Sequence, residues 1–266
     1  MLSRVFSRQN MSLLSEMVRT DFKLRYQGSV LGYLWSFLKP LFLFAILYVI
    51  FTKFLKFGEG EPFFSLSLLL GIIIWNFFTE ATNRSVTAIV AQGDLIRKIK
   101  IPRYLIVVST VISALINLAL SLVVVAVFVL FSDVVIAPRI VLIIPLIIEL
   151  VVLATAASFF LSAVFVRFRD INYIWEVVTQ MVFYATPIIY PLSLIPNETA
   201  RELFFINPMA QIIQDMRWAV IYDGTQTLFD SQDLLIKFVP FLLIVATIFL
   251  SIWYFRKESK HFAENV

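Results

Sequence analysis

The sequence predicts an all-α polytopic membrane protein with six transmembrane helices and both termini in the cytoplasm. Three observations carry this. Six apolar runs, roughly 34–57, 63–83, 105–131, 140–166, 171–190 and 234–255, fill most of the 266 residues. Each reaches or approaches the about 20 residues that a helix needs to cross a hydrocarbon core of about 30 Å. Charged residues make up only 15% of the chain and lie mainly between the runs. Of the 22 lysines and arginines, all but Lys53, Lys56, Arg139, Arg201, Arg217 and Lys237 fall on one side of the expected topology. The positive-inside rule assigns that side to the cytoplasm.

Composition narrows the function. The chain is 60% apolar, with a mean hydropathy of +0.90, which is the range of polytopic membrane proteins. No GxxxxGK[ST] segment occurs, so no nucleotide-binding P-loop is expected. Cysteine is absent and His261 is the single histidine, which disfavours thiolate chemistry and any metal site built on His and Cys. The net charge of +4 fits topology and lipid headgroups better than nucleic acid. The opening MLSRVFSRQN lacks the apolar core of a signal peptide. One transmembrane domain, 1–266, is expected. Its parts are an interfacial segment (1–33), spans one to five (34–190), an outward segment (191–233), span six (234–255) and a cytoplasmic tail (256–266).

The elements follow in order. In about 10–27, Leu13, Leu14, Met17, Val18, Phe22 and Leu24 keep helical spacing, with charged residues between them. That is an amphipathic helix lying on the membrane surface. Gly28 and Gly32 permit the turn into the first span. The first span repeats Phe37, Phe44 and Phe51 every seven residues, with Tyr48 near the same stripe. Two readings stay open: ordinary packing with an interfacial aromatic belt, or an aromatic slide on which sugar rings stack by their C–H faces.

The second span carries Asn76, Glu80, Asn83 and Thr87 on one face. AQGDLIRKIKIPRY (91–104) is too polar to insert. Gly93-Asp94 starts a short helix and Pro102 stops it, giving either a solvated basic loop or a docking helix. The third span sets Ser109, Ser113, Asn117 and Ser121 four apart, a small-residue ridge for close packing. The fourth holds Glu149, Thr155, Ser158 and Ser162, read as interhelical glue.

The fifth span is the most informative. Tyr173, Glu176, Gln180 and Tyr184 share one side of a helix. A carboxylate and an amide inside a span belong against a bundle interior or a watery path. Thr186-Pro187 and Pro191 distort its outward end. The outward segment contains two amphipathic pieces, about 199–206 and 209–222, whose Phe204, Phe205, Ile212 and Trp218 are too apolar for a free loop. The sixth span is almost pure hydrocarbon and belongs at a lipid-facing edge. No catalytic constellation appears. Asp21, Asp94 and Asp170 are dispersed, each near a basic residue.

Six blocks in order carry a family resemblance that covers nearly the whole chain. They are DFKLRYQGSVLGYLWSFLKP (21–40), GIIIWNFFTEATNRS (71–85), GDLIRKIKIPRYL (93–105), VRFRDI (166–171), FYATPIIYPLSLIP (183–196) and INPMAQIIQDMRWAV (206–220). Together they resemble the membrane subunit of ABC-2-type exporters of polysaccharides, the O-antigen, capsule, teichoic acid and galactan permeases.

The resemblance implies a transport subunit of the bacterial inner membrane, not an enzyme. It would work as a homodimer with two copies of a nucleotide-binding ATPase, on which ATP and Mg would reside, and would move a polyprenyl-linked glycan outward. It implies that Asp94, Arg97, Lys98, Lys100, Arg103, Arg169 and Asp170 couple to the ATPase. It implies a channel lined by Phe37, Phe44, Tyr48, Phe51, Tyr173, Glu176, Gln180 and Tyr184. The outer gate would be formed by Phe204, Phe205, Ile212 and Trp218. Lys39 stands where the family usually has a neutral residue; it either snorkels to the interface or, with Arg25, holds a lipid pyrophosphate. The rival readings are an ABC-2 drug or lipid exporter and, from another class, a membrane enzyme of lipid-linked glycan assembly.

Overall fold

The computed structural model describes residues 7–26, 29, 31–56, 61–98, 101–260 and 262. All regular structure among these residues is helical. Helix α1 (Arg8–Tyr26) is the amphipathic entry helix. Asn10 Nδ2 donates to the Tyr104 hydroxyl at 3.2 Å, and Asp21 accepts from Arg84. Gly32 then turns the chain with φ 48°, a left-handed value open to glycine at little cost. Helix α2 (Trp35–Leu47) follows and continues as a π-helical stretch, Tyr48–Phe54.

Helix α3 (Phe64–Ala91) is the centre of the bundle. In its most apolar 18-residue window 72% of residues are buried, against 22% for α10 (Leu234–Glu258). Around α3 pack α2, α5 (Tyr104–Leu130), α6 (Ile143–Arg167), α7 (Ile171–Ala185) and α9 (Pro208–Val220). The short helices α4 (Gly93–Lys98) and α8 (Glu198–Phe204) lie at the C-terminal end of α3 and ahead of α9, respectively. Helix α10 packs chiefly on α6 and leaves Leu235, Leu242, Phe249 and Trp253 exposed, as an all-apolar helix at a lipid-facing edge does.

The serine ridge of α5 works as expected. Ser109, Ser113, Asn117 and Ser121 are all buried. Small side chains let the α3 and α5 backbones approach. Thr110 shares a 2.6 Å hydrogen bond with Ser85, and Asn117 Nδ2 donates to Glu80 Oε1 at 2.7 Å. Local chemistry also sets the helix starts. Asn197 Oδ1 accepts from Ala200 N ahead of α8, and Asp233 Oδ1 accepts from Leu235 N ahead of α10. Both are side-chain N-caps.

The structure revises three boundaries. Among the described residues, four helices are long and apolar enough to cross a membrane by length and composition: Phe64–Ala91, Tyr104–Leu130, Pro138–Arg167 and Leu234–Glu258. The first expected span is instead divided between α2 and the π-helical stretch. The fifth stops at Ala185, 15 residues long, or about 22 Å. Thr186 is extended, with φ −101° and ψ 135°, because the residue before a proline is driven out of the helical region, and Pro187 brings no N–H to continue the ladder. Finally, α3 runs past Asn83, where the sequence expectation ended the span. Ser85, Val86, Ala88 and Ile89 are buried there, and Ile89 joins Ile106, Val107 and Val166 in a second core cluster. Arg84 is therefore a helical residue rather than a loop residue.

Candidate functional site

Arg217 on α9 is a buried cation, 3% exposed. Its guanidinium lies among the turn that follows α7 and the first turns of α3. Nη1 donates to the Pro187 carbonyl at 2.6 Å, Nη2 to the Ile188 carbonyl at 2.8 Å, and Nε to the Ser67 carbonyl at 3.0 Å. A helix that ends at a Thr-Pro turn leaves carbonyls unpaired, and the rigid fork of an arginine satisfies several at once. Burial lowers the Arg217 pKa to about 10, with Glu61 opposing, so the group remains charged at neutral pH. Space for it comes from Gly71. A Cβ at that position would stand 2.9 Å from Arg217 Nη2 and 3.4 Å from Ile188 Cγ2.

A second tie runs beside the first. Asn207 Oδ1 accepts from Met209 N at 3.0 Å, capping α9, whose first residue is Pro208. Proline suits that position because its missing N–H would be unpaired anyway. Asn207 Nδ2 donates to Thr186 Oγ1 at 2.9 Å. The Asn-Pro pair thus starts α9 and fastens it to the end of α7.

Helix α7 has two unlike faces. Trp175 Nε1 donates to Thr82 Oγ1 at 3.1 Å, Thr179 is buried, and Phe183 meets Trp75 with ring centroids 5.8 Å apart. These positions, spaced by four, seat the helix on α3. The other side is open: Tyr173 is 70% and Tyr184 66% exposed, and Glu176 and Gln180 are exposed with them. Ile174, Val177 and Met181 extend the same surface. Polar, aromatic and aliphatic groups are therefore presented together on a helix that has little cover within its own protomer.

Between α2, α3 and α5 lies a cavity of about 670 Å³ whose lining includes Trp35, Lys39, Asn76, Asn83, Arg84 and Ser121. Arg84 reaches Glu80 at 3.8 Å as well as Asp21, so α1, α3 and α5 are joined by one chain of charged and amide groups ending at Asn117. Towards the C-terminal end of α3, Asp94 and Arg97 are exposed on α4, while Ile96 is buried in the second core cluster. Arg169 and Asp170 are exposed in the turn before α7.

Comparison with known proteins bears on this arrangement. The ABC-2 type transporter family profile matches residues 12–221. The chain belongs to the ABC-2 type transporter family. It is 29% identical over 97% of its length to the O-antigen export system permease protein RfbA of Myxococcus xanthus, covering 96% of that protein. It is 30% identical over 77% of its length to the protein of the same name from Klebsiella pneumoniae, covering 78% of it.

As an ABC-2 family member the chain is an integral membrane transport subunit, not an enzyme, and the expected residues take these places. Tyr173, Glu176, Gln180 and Tyr184 share the open face of α7. Phe44 and Phe51 instead pack against the protomer's own main core, Phe44 meeting Phe128 at 6.4 Å and Tyr48 at 5.8 Å. The Phe37 and Arg25 side chains lie outside the described residues, as do the Lys98 side chain and all of Lys100. Lys39 is exposed and shares its cavity with Arg84, a partner the sequence did not suggest. Arg103 lies over the Phe262 ring at 5.8 Å, tying the turn before α5 to the chain after α10.

In the expected gate, Phe205 and Ile212 are fully buried. Trp218 is stacked under Arg139, 5.4 Å from its ring centroid. Phe204 packs against Tyr190 at 6.4 Å. These residues hold the segment together, and its open apolar surface includes Leu194, Leu203, Ile206 and Phe229. Sequence reasoning missed the roles of Arg217 and Gly71, and read Thr186 only as part of the distorted helix end, not as the partner of Asn207. An arginine in a short amphipathic helix carries the same signal whether it faces water or a buried turn.

Proposed function

We propose that the chain is the permease half of an ATP-driven exporter that moves a lipid-linked polysaccharide outward across the bacterial cytoplasmic membrane. The observation that carries this reading is the end-to-end match to an O-antigen export permease, covering 97% of this chain and 96% of the relative. Supporting it, α7 leaves a tyrosine, glutamate and glutamine face unfilled within the protomer. A glycan needs hydrogen-bonding groups along its path, and a polar face inside a membrane needs a watery or protein neighbour.

In this reading two copies face each other, with the open α7 surfaces lining the path. Six crossings place both termini in the cytoplasm. The segment with α8 and α9 closes the outer end. Helices α1 and α4, with Arg169 and Asp170, receive two ATPase subunits, which hold the ATP and Mg. Lys39 and Arg84 form the cationic end of a cavity suited to a lipid phosphate.

The test is export itself. Deletion of the gene in its native cell should leave full-length polymer lipid-linked on the cytoplasmic side, and plasmid-borne chain should restore surface polymer. Normal surface polymer with loss of efflux of a small amphiphile would instead identify a drug or lipid exporter.

A further inference from the structure

A cavity of about 670 Å³ lies between α4, the turn that leads into α5, and the C-terminal parts of α6 and α10. Its wall rests on a chain of edge-to-face rings, an arrangement that aromatic pairs favour. Phe159 meets Phe255 with centroids 4.9 Å apart, and Phe255 meets the fully buried Phe262 at 5.5 Å. Ile96 and Ile101 add to the apolar surface. Arg103 and Arg256 contribute to the lining, and among the described residues no aspartate or glutamate does. Arg103 is stacked over Phe262 at 5.8 Å, which fixes its guanidinium beside the cavity. Arg256 is exposed. Among the described residues neither arginine lies within ion-pair distance of a carboxylate. The Tyr104 hydroxyl, also in the lining, accepts from Asn10 Nδ2 and keeps its own proton for a further acceptor.

Two features of α10 identify what covers this surface. Trp253 and Tyr254 stand next to the lining residues Ile252 and Phe255, and Trp253 is 59% exposed. Tryptophan and tyrosine at the end of an apolar span mark the level of the lipid headgroups. Ile252, at the cavity, also ends a stripe with Leu242, Val245 and Phe249, spaced three and four apart and all exposed, so they share one side of the helix. The stripe is about 15 Å long, half of a hydrocarbon core of about 30 Å. An apolar track as deep as one leaflet therefore ends at two arginines without a counter-charge. An acidic side chain of a protein partner would satisfy the arginines and leave the track uncovered. A free phosphate would do the same.

We infer that this cavity holds the headgroup of an anionic phospholipid such as phosphatidylglycerol, with its phosphate between Arg103 and Arg256 and an acyl chain along the Leu242–Ile252 stripe. Guanidinium groups bind phosphate oxygens through paired, charge-assisted hydrogen bonds, and basic pockets between spans on the cytoplasmic side suit anionic headgroups. A zwitterionic headgroup would bring its own cation towards the two arginines. The inference rests on the proposed orientation only in assigning the lipid to the inner leaflet. It gives Arg103 a lipid partner where the family resemblance implies an ATPase contact.

The test uses the purified permease–ATPase complex and native mass spectrometry. Dioleoyl phosphatidylglycerol, phosphatidylethanolamine and phosphatidylcholine are added at equal concentration. The glycerol lipid should be retained about tenfold more than the other two, the equivalent of one charge-assisted hydrogen bond. Joint replacement Arg103→Gln and Arg256→Gln should bring the three lipids to parity. Arg256→Gln alone, at an exposed position that folding does not need, should cut the preference about threefold. Lys257→Gln, one residue on but outside the lining, should leave it unchanged. Equal retention of all three lipids would overturn the inference and leave the arginines to a protein contact. A full preference in the folded Arg256→Gln complex would overturn it too, as would an equal fall in Lys257→Gln, which would mark a diffuse surface charge. Displacement of the lipid by millimolar glycerol 3-phosphate would overturn its lipid source. Export activity is not part of the readout, so loss of the headgroup preference and failure of the export reading are separable.

Discussion

Replacing Arg217 by Met would strip the Pro187 and Ile188 carbonyls of their donor and remove the second donor of the Ser67 carbonyl, which lies within the α3 helix. Each buried orphan costs about 1–3 kcal/mol, so a loss of about 3 kcal/mol or more is expected. A thermal unfolding midpoint measured on the detergent-solubilised chain should fall sharply. Arg217→Lys should recover only part, because a point charge cannot reach three divergent acceptors as a fork does. Gly71→Ala should mimic the damage from the opposite side, at about 1–3 kcal/mol for overpacking. If Gly71→Ala melts like the parent, the guanidinium has room that the 2.9 Å approach denies it.

At the scale of single elements, α7 and α10 make opposite predictions although both are rich in apolar residues. Because the chain has no cysteine, single cysteines at Gln180 and Tyr184 should react with membrane-impermeant thiol reagents during export. One at Leu243 on α10 should not. Equal labelling at both sets of positions would remove the assignment of α7 to a watery path. Helix α4 makes a different prediction. Its Asp94 and Arg97 point away from the buried Ile96, so the paired reversal Asp94→Lys and Arg97→Glu should leave the fold intact. ATP hydrolysis by the assembled complex should continue while export falls about tenfold or more, the equivalent of losing one well-placed charged contact. Full export by the reversed pair would move the coupling surface elsewhere.

Helix-scale features were the most legible in the sequence. The amphipathic period of α1, the Gly93 start of α4 and the two amphipathic pieces that form α8 and α9 depend on neighbours in sequence, and the structure reproduces them within a few residues. The end of α3 was less legible. Asn83 and Arg84 look like a membrane boundary, but their helix continues because Ile89 finds partners on α5 and α6, and no local pattern encodes a distant partner. In the candidate site, the Tyr173–Tyr184 face was visible from spacing alone. The Arg217 clamp was not, since its acceptors are backbone carbonyls 29, 30 and 150 residues away and a carbonyl leaves no mark on residue type. The aromatic stripe of the first span shows the limit from the other direction: its period was real, and part of it serves the protomer's own core.

For the whole molecule, the outward segment is the place where two copies would meet or part. Leu203 and Ile206 are two of its open apolar groups. Cysteines placed there and joined across the two copies should halt export while ATP is still consumed. Undiminished export from fully joined dimers would route the polymer elsewhere. The central position of α3 adds a constraint, because α2, α7 and α9 all lean on it.

The Arg217 and Asn207 ties have a mechanical consequence. They join α9, the end of α7 and the start of α3 into a single strut, so the closure cannot swing on a hinge of its own. Any widening must come from tilting one whole subunit against the other, as two door leaves part without bending. Spin labels placed on α3 and α9 of one subunit should therefore hold a constant separation through the ATP cycle, while labels on the two α9 helices of a pair move apart. A changing separation within one subunit would mean that the strut breaks on every stroke.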